Sequence, residues 1–215
     1  MIKGIIFDLD GTVIDSMGIW AGIDRQFLRE NGIENPPPDV SDNLKRMSAD
    51  ESGKYLIERF GLKLTVSQIS QRTQELVKEQ YEKYIELKPN VIELLDFLDR
   101  KGIPYGIATA TYDSLAKAVL KRHGILNRFK FILTDSDYPK GKKFPDIFMG
   151  ASEILGLSPQ NVLVAEDSLY AIVTAKKAGF VTAGLFDGLS ENDRSEIEAA
   201  ADYYFETIDE IINIL

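Results

Sequence analysis

The sequence predicts an α/β protein with a doubly wound parallel sheet and an inserted α-helical domain. Short apolar runs alternate with segments of helical spacing through most of the chain after residue 90. The first apolar run, Ile5–Phe7, ends directly in an acidic turn, and residues 16–87 show helical spacing without a strand pattern. Strand–helix alternation implies crossover connections, which place parallel strands between two layers of helices.

The candidate strands are six short apolar runs, and segments of helical spacing or helix-forming composition separate most of them. The strands are Ile2–Phe7, Pro104–Ala108, Phe129–Leu133, Val162–Ala165, Val181–Gly184 and, as the weakest, Tyr203–Phe205. The intervening helices are Val91–Arg100, Ser114–His123, Ile147–Gly156, Leu169–Ala178 and Glu191–Ala200. Asn90 is a candidate N-cap of the first helix, and Gly102, Gly124, Gly156 and Gly179 are candidate stops.

Helical spacing dominates the stretch between the first strand and the rest of the sheet. It recurs in Ile19–Asn31, Asn43–Phe60 and Ser67–Ile85, which predicts three or four helices. We therefore expect a core domain of residues 1–15 and 88–215 and a helical cap of residues 16–87. Because both connections lie beside the acidic end of the first strand, the cap is predicted to act as a lid. A helical appendage without a role in closure is the alternative.

Composition narrows the possible functions. The 215 residues are 44% hydrophobic and 27% charged, as expected of a globular protein, and the net charge of −9 argues against nucleic acid as a partner. The absence of cysteine excludes disulfides and thiolate catalysis. The single histidine, His123, lies at a predicted helix end, which argues against a histidine-based triad or metal site. With no membrane-length apolar run and a strand predicted from residue 2, we expect a cytoplasmic protein that binds no membrane. We also expect it to be a monomer.

The segment Asp8-Leu9-Asp10-Gly11-Thr12 is the strongest chemical signal. Two carboxylates follow a buried strand, at the end of the sheet where ligands of open α/β proteins bind. Like charges so close together are costly unless a cation or a proton separates them. An EF-hand calcium loop does not fit, because a strand precedes the segment and no Glu occupies the twelfth loop position. The pattern predicts one carboxylate on a metal and one that carries a proton.

Three further strand ends carry polar groups that complement these carboxylates. Thr109 and the Ala110 N–H follow the second strand and can hold an anion. Lys142 precedes a helix that starts with Pro145 and can reach a phosphate as a point charge. Glu166 and Asp167 end the fourth strand and suit a hard cation. All of these residues should meet at one edge of the sheet.

This order of motifs resembles the haloacid dehalogenase-like superfamily of aspartyl phosphotransferases, which has a Rossmann-like core. The motifs are Asp8-x-Asp10-Gly-Thr, Thr109, Lys142-x-x-Pro-Asp and Glu166-Asp167. The helical insert and the Glu-Asp-Ser motif resemble the β-phosphoglucomutase and phosphoglycolate phosphatase branch. The resemblance covers essentially the whole chain; its motifs are specific for the superfamily but not for a substrate.

The resemblance also implies a role for each matching residue. Asp8 would be the nucleophile and a metal ligand, and Asp10 the general acid and base, with its main-chain carbonyl on Mg²⁺. Thr109, the Ala110 N–H and Lys142 would bind the transferring phosphate, and Lys142 would also neutralise Asp8. Glu166 and Asp167 would complete the metal site. Lys143 is an alternative to Lys142, although the spacing to Pro145 and Asp146 favours Lys142.

The function we expect is a Mg²⁺-dependent phosphatase that hydrolyses a small phosphorylated metabolite through an aspartyl-phosphate intermediate. A sugar-phosphate mutase is the alternative, with Lys45 or Arg46 holding a second phosphate. Ala49 and Trp20 stand where the mutase has an Arg and a His, which favours the phosphatase. Trp20 is expected either in an apolar wall against the substrate or in the core of the cap. A non-catalytic metabolite-binding module is the third possibility; it would require a broken motif set.

Overall fold

The computed structural model describes residues 1–44, 49–134, 136–138, 140–188 and 193–215. The chain divides into two compact units. The first combines Met1–Ser16 with Ile85–Leu215, and the second is Met17–Tyr84. No helix of the described residues combines the length and the apolar character that a membrane crossing requires.

The first unit contains a six-stranded sheet in which every pairing is parallel. The order is β3-β2-β1-β4-β5-β6, so the chain builds outward on one side of β1 and then on the other. Such an order leaves a crevice at the carboxyl ends of the central strands, here β1 and β4. The predicted doubly wound sheet is confirmed. The strands are β1 (Gly4–Phe7), β2 (Tyr105–Thr109), β3 (Ile132–Thr134), β4 (Val162–Glu166), β5 (Val181–Leu185) and β6 (Tyr203–Phe205).

The strand bounds differ from the prediction at several ends. β3 begins at Ile132 rather than at Phe129, although the Lys130 N–H donates to the Tyr105 carbonyl and the Phe131 carbonyl accepts from the Ile107 N–H just before it. β2 and β4 each continue one residue further than predicted, to Thr109 and Glu166. Two of the predicted site residues are therefore the last residues of central strands, where the ladder fixes their backbone.

The described helices follow the predicted alternation. The second unit has α1 (Met17–Glu30), α2 (Asp39–Leu44), α3 (Ala49–Phe60) and α4 (Val66–Lys83), and the first unit has α5 (Val91–Lys101), α6 (Asp113–Arg122), α7 (Asp146–Leu155), α8 (Leu169–Lys177) and α9 (Arg194–Ala200). The helix predicted over 43–60 corresponds to α2 and α3, and residues 45–48 lie outside the described part of the chain. A 3₁₀ segment at Ile208–Ile214 was not predicted.

The helix ends confirm the glycine prediction and correct the one for Asn90. Gly102 and Gly156 end α5 and α7 in the left-handed conformation, both with φ of 67°. Asn90 makes no side-chain cap; it has φ of 65°, and its amide donates to Asp209 Oδ1 at 2.9 Å. The Asn90 carbonyl instead accepts the first helical hydrogen bond, from Leu94 N–H. Asparagine is among the few non-glycine residues that tolerate this conformation.

Apolar side chains on both faces of the sheet form the core of the first unit. Ile6, Val164 and Phe148 are almost completely buried and belong to one cluster between β1, β4 and α7. Gly106 in β2 is required for close packing, since a Cβ there would collide with the ring of Phe131. This packing fixes the strands whose carboxyl ends carry the polar residues.

Helix capping and side-chain burial stabilise the second unit. Thr65 and Gln68 form a reciprocal capping box at the start of α4, whose buried face includes Leu76 and Tyr81. Arg72 of α4 pairs with Glu30 of α1 at 2.8 Å. Both side chains are about a third or more exposed, so this ion pair contributes little compared with the buried apolar face.

Candidate active site

The carboxyl ends of β1 and β4 bring three predicted site residues together. One oxygen each of Asp8, Glu166 and Asp167 lies within 4.8 Å of the others. All three side chains are buried, with 6%, 1% and 2% of the residue surface exposed. The Asp8 N–H donates to the Ala165 carbonyl at 2.9 Å, which extends the β1–β4 ladder into the acidic segment. The position of Asp8 beside Glu166 is therefore set by strand pairing.

Lys142 is the basic residue of this cluster. Its Nζ donates to Asp8 Oδ1 and, at 2.6 Å, to Glu166 Oε1, and only 4% of the residue is exposed. It lies in a 3₁₀ turn, Gly141–Lys143, just before α7. The neighbouring Lys143 is exposed. Of the two lysines that the sequence offered, the structure brings Lys142 to the carboxylates.

The two acidic residues at the end of β4 have different surroundings. Glu166 accepts from Lys142 through Oε1 and from the Ser168 N–H through Oε2, at 3.0 Å, so both of its oxygens are engaged. Asp167 Oδ1 accepts from the Ser168 hydroxyl at 3.1 Å. Asp167 Oδ2 is buried and has no hydrogen-bond partner among the described residues. Such an atom is costly to bury unless a cation or another donor meets it.

Charge within the cluster is unbalanced. Burial raises the pKa of Asp8 well above its usual value; Lys142 offsets part of that rise, and Glu166 and Asp167 add to it. Burial and the charge of Glu166 likewise raise the pKa of Asp167 to about 7. Burial lowers the pKa of Lys142, but Asp8 and Glu166 outweigh it and the net pKa lies above the usual value. Lys142 is therefore a fixed cation facing three carboxylates.

These residues fit a divalent metal ion. The buried oxygen ligands, the unpartnered Asp167 Oδ2 and the raised carboxyl pKa values are all relieved by one added cation. Hard cations such as Mg²⁺ and Ca²⁺ prefer oxygen ligands of this kind.

Asp10 lies outside the cluster and is held by two hydroxyl groups. Ser16 Oγ donates to Asp10 Oδ1 and Thr111 Oγ1 donates to Asp10 Oδ2, each at 2.6 Å. The backbone turns away from β1 at Gly11, which has φ of 80°. Sequence reasoning did not identify Ser16 or Thr111 as site residues. The repeat of threonine at 109 and 111 in the loop after β2 was the available signal.

Thr109 and Ala110 lie at the end of β2, the strand next to β1. Thr109 is completely buried, and its hydroxyl accepts from the Thr111 N–H at 3.0 Å. Phe7 pairs with Ile107, so Thr109 lies just beyond the level of Asp8 at the same edge. The loop from Thr109 to Thr111 therefore connects the predicted phosphate-binding residues with Asp10.

A separate cavity of about 220 Å³ lies beside the loop after β1 and is lined by Thr12, Lys88 and Phe186, among others. The predicted site residues do not line this cavity. Lys45 and Arg46, which the mutase alternative requires, lie outside the described residues, as does the side chain of Trp20.

Known proteins resemble this chain over its whole length. The sequence profile of the haloacid dehalogenase-like hydrolases matches residues 5–185. A phosphorylated carbohydrates phosphatase of Thermotoga maritima is 26% identical over all of this chain and 98% of its own length. A β-phosphoglucomutase of Bacillus subtilis is 28% identical, covering 87% of this chain and 84% of its own. The crystal structure of a provisionally named β-phosphoglucomutase from Thermotoga maritima superposes with a TM-score of 0.87 at 25% identity, covering 99% of this chain and 98% of that one.

The resemblance drawn from the four motifs is thereby confirmed, together with the branch in which phosphatases and β-phosphoglucomutase occur. The matched segment spans both units and contains every predicted site residue. This chain belongs to the haloacid dehalogenase-like hydrolase family.

Proposed function

We propose that this protein is a Mg²⁺-dependent phosphatase that hydrolyses a small phosphorylated metabolite through a phosphoryl group on Asp8. The buried cluster of Asp8, Lys142, Glu166 and Asp167 carries this proposal. It combines the carboxylate nucleophile with one fixed cation, Lys142, and with a site for a second cation, the metal ion. The transferring phosphoryl group is negatively charged, and its transfer depends on positioning and on positive charge around it.

Mg²⁺ would be held by Asp8, Asp167 and the main-chain carbonyl of Asp10, with Glu166 close by. It would supply positive charge to the phosphoryl oxygens. Asp167, directly after β4, would be a carboxylate ligand of the metal, because its Oδ2 has no partner among the described residues. Glu166 serves chiefly to hold Lys142, since both of its oxygens already accept hydrogen bonds.

In the first step an oxygen of Asp8 attacks phosphorus and the bond from phosphorus to the leaving oxygen breaks. Lys142 and the loop at Thr109 and Ala110 hold the phosphoryl oxygens, and Asp10 gives its proton to the leaving oxygen. In the second step water attacks phosphorus while Asp10 takes up the proton of that water. The bond from phosphorus to Asp8 breaks, and inorganic phosphate and free Asp8 result. A covalent intermediate of this kind replaces one difficult displacement with two easier ones.

The different surroundings of the two aspartates support this division of roles. Asp8 contacts a lysine, which only donates hydrogen bonds and so favours the ionised carboxylate. Asp10 contacts the hydroxyls of Ser16 and Thr111, which can donate or accept. These partners can serve Asp10 both with and without its proton, as a general acid and base requires.

The substrate we propose is a phosphate monoester of a carbohydrate or a small hydroxy acid. Three of the relatives are phosphatases named for phosphorylated carbohydrates, N-acetylmuramic acid 6-phosphate and phosphoglycolate. We further propose that the protein acts as a monomer on these small molecules.

The experiment that tests the proposal is release of inorganic phosphate from p-nitrophenyl phosphate and from a panel of sugar phosphates and phosphoglycolate. Activity should require Mg²⁺ and fall by at least about a thousandfold in Asp8→Asn, the size of effect typical of removing a nucleophile. Asp15→Asn is the matched control, because Asp15 is an exposed carboxylate of the same loop. Full activity in Asp8→Asn would refute the nucleophile assignment.

The same assay decides between the alternatives. Conversion of β-glucose 1-phosphate to its isomer in the presence of a sugar bisphosphate, without net phosphate release, would show a mutase. No turnover of any ester in the panel, with retained metabolite binding, would show a non-catalytic module.

A further inference from the structure

A partly buried ion pair outside the predicted site connects two parts of the first unit. Lys88 Nζ lies 2.7 Å from Asp187 Oδ2, and the side chains are 18% and 5% exposed. Lys88 Nζ also donates to the Phe186 carbonyl at 3.4 Å. The two residues are 99 positions apart in the chain, so only the fold brings them together.

Both residues are attached to segments that carry the candidate metal site. The Lys88 N–H donates to the Val13 carbonyl at 3.0 Å, and Leu87 bridges to Ile14, which in turn bridges to Asp10. Asp187 follows β5, whose Gly184 pairs with Glu166 of β4. Lys88 is thus tied to the loop after Asp8 and Asp10, and Asp187 lies at the same sheet edge as Asp167.

Stability alone does not explain such a pair. Withdrawing a buried carboxylate and a partly buried ammonium group from water has a desolvation cost, and apolar side chains of similar size often stabilise a protein equally well. Asp187 also adds a carboxylate to an edge that already has the carboxylates of Asp8, Glu166 and Asp167. Asp187 lies three residues after Gly184, the partner of Glu166 in the β4–β5 ladder, so its charge stands at the edge of the sheet that carries Asp167. Lys88, 2.7 Å from Asp187 Oδ2, places a positive charge against it.

We propose that the Lys88–Asp187 ion pair sets the affinity of the neighbouring carboxylate cluster for its divalent metal ion, with Lys88 balancing the charge of Asp187. The inference rests on the metal site of the proposed function. Neither residue has to touch the metal or the substrate; each acts through the electrostatic potential at Asp167. The pair is therefore a positioning and charge-setting element.

The sign of the effect distinguishes this role from a structural one. Asp187→Asn leaves the positive charge of Lys88 near the cluster and should weaken metal binding. Lys88→Met leaves the negative charge of Asp187 and should strengthen metal binding. The double variant removes both charges and should return the affinity toward that of the original protein, and Lys88→Arg should preserve it. Damage to packing would weaken binding in every variant.

The measurement is direct binding of Mn²⁺, followed by the electron paramagnetic resonance signal of the free ion, with Mg²⁺ competition, in the absence of substrate. At about pH 8.5 we expect the dissociation constant to rise about tenfold in Asp187→Asn, the low end of the effect of outer partners of metal ligands, and to fall in Lys88→Met. The unfolding transition of each variant controls for folding. If Lys88→Met does not fold, the dissociation constant of Asp187→Asn is compared with those of the double variant and of Lys88→Arg. Of these three, only Asp187→Asn should bind Mn²⁺ more weakly than the original protein.

Two results separate failure of this inference from failure of the proposed function. If the original protein binds Mn²⁺ but the two single variants shift the affinity in the same direction or not at all, the role of the pair is refuted and the metal site stands. If the original protein binds no Mn²⁺ or Mg²⁺, the metal site and the role of the pair are both refuted.

Discussion

Replacement of Lys142 by methionine tests the electrostatic description of the site most directly. Methionine keeps much of the length and apolar character of the lysine side chain and removes its charge. Among the described residues, Lys142 is the base in contact with Asp8 and Glu166, and all of these side chains are almost fully buried. The substitution would leave Asp8, Glu166 and Asp167 facing one another without a cation.

The expected loss of stability follows from that geometry. Breaking a buried ion pair by removing one partner costs about 3–5 kcal/mol, because the remaining charge is buried and uncompensated. In the variant the folded-state pKa values of Asp8 and Asp167, already raised, rise further above their unfolded values. Stability from such groups is present below the unfolded pKa and is lost as pH rises through the folded pKa. The penalty should therefore be small near pH 4, reach about 3 kcal/mol near pH 8, and shrink when Mg²⁺ is added.

Urea unfolding followed by circular dichroism, at a series of pH values with EDTA or with Mg²⁺, measures this penalty. Lys143→Met is the matched control, because Lys143 is adjacent and exposed; it should change the free energy of unfolding by less than about 0.5 kcal/mol. A penalty for Lys142→Met that is independent of pH, or no larger than that of the control, would refute the electrostatic reasoning.

Two further predictions concern the metal and Asp10. Burial and Glu166 raise the pKa of Asp167 to about 7, so metal-free protein should lose stability as pH rises toward 7. Mg²⁺ should then raise the melting temperature more at about pH 8 than at about pH 5. Calorimetric scans with Mg²⁺ and with EDTA measure this shift, and an equal shift at the two pH values would contradict the prediction. Thr111→Val and Ser16→Ala each remove one hydroxyl from Asp10. Each should lower kcat by about tenfold to a hundredfold with a smaller change in KM, because proton transfer by a positioned group contributes about 10²–10⁴-fold and the other hydroxyl still contacts Asp10. A change confined to KM, measured with p-nitrophenyl phosphate, would place these hydroxyls in substrate binding instead.

The sequence determined the fold class and the edge of the sheet at which the charged residues of the cluster gather. Apolar runs of strand length alternating with helices allow few topologies other than a parallel sheet with right-handed crossovers. Polar residues at the ends of such strands must then gather at one edge of the sheet. The sequence alone therefore grouped Asp8, Lys142, Glu166 and Asp167. The left-handed glycines after α5 and α7 were also predictable, because their signal is local.

The tertiary structure decided how the grouped residues are partnered. Thr111 reaches Asp10 across 101 residues, Lys88 reaches Asp187 across 99, and Asn90 donates to Asp209 instead of capping its helix. Glu166 accepts hydrogen bonds at both of its oxygens, whereas Asp167 has a buried oxygen without a partner among the described residues. The sequence pattern did not indicate this difference either. Propensity and periodicity report on neighbours within a few turns of chain. Hydrogen bonds between distant side chains depend on strand register and loop path, which are fixed only when the whole sheet packs.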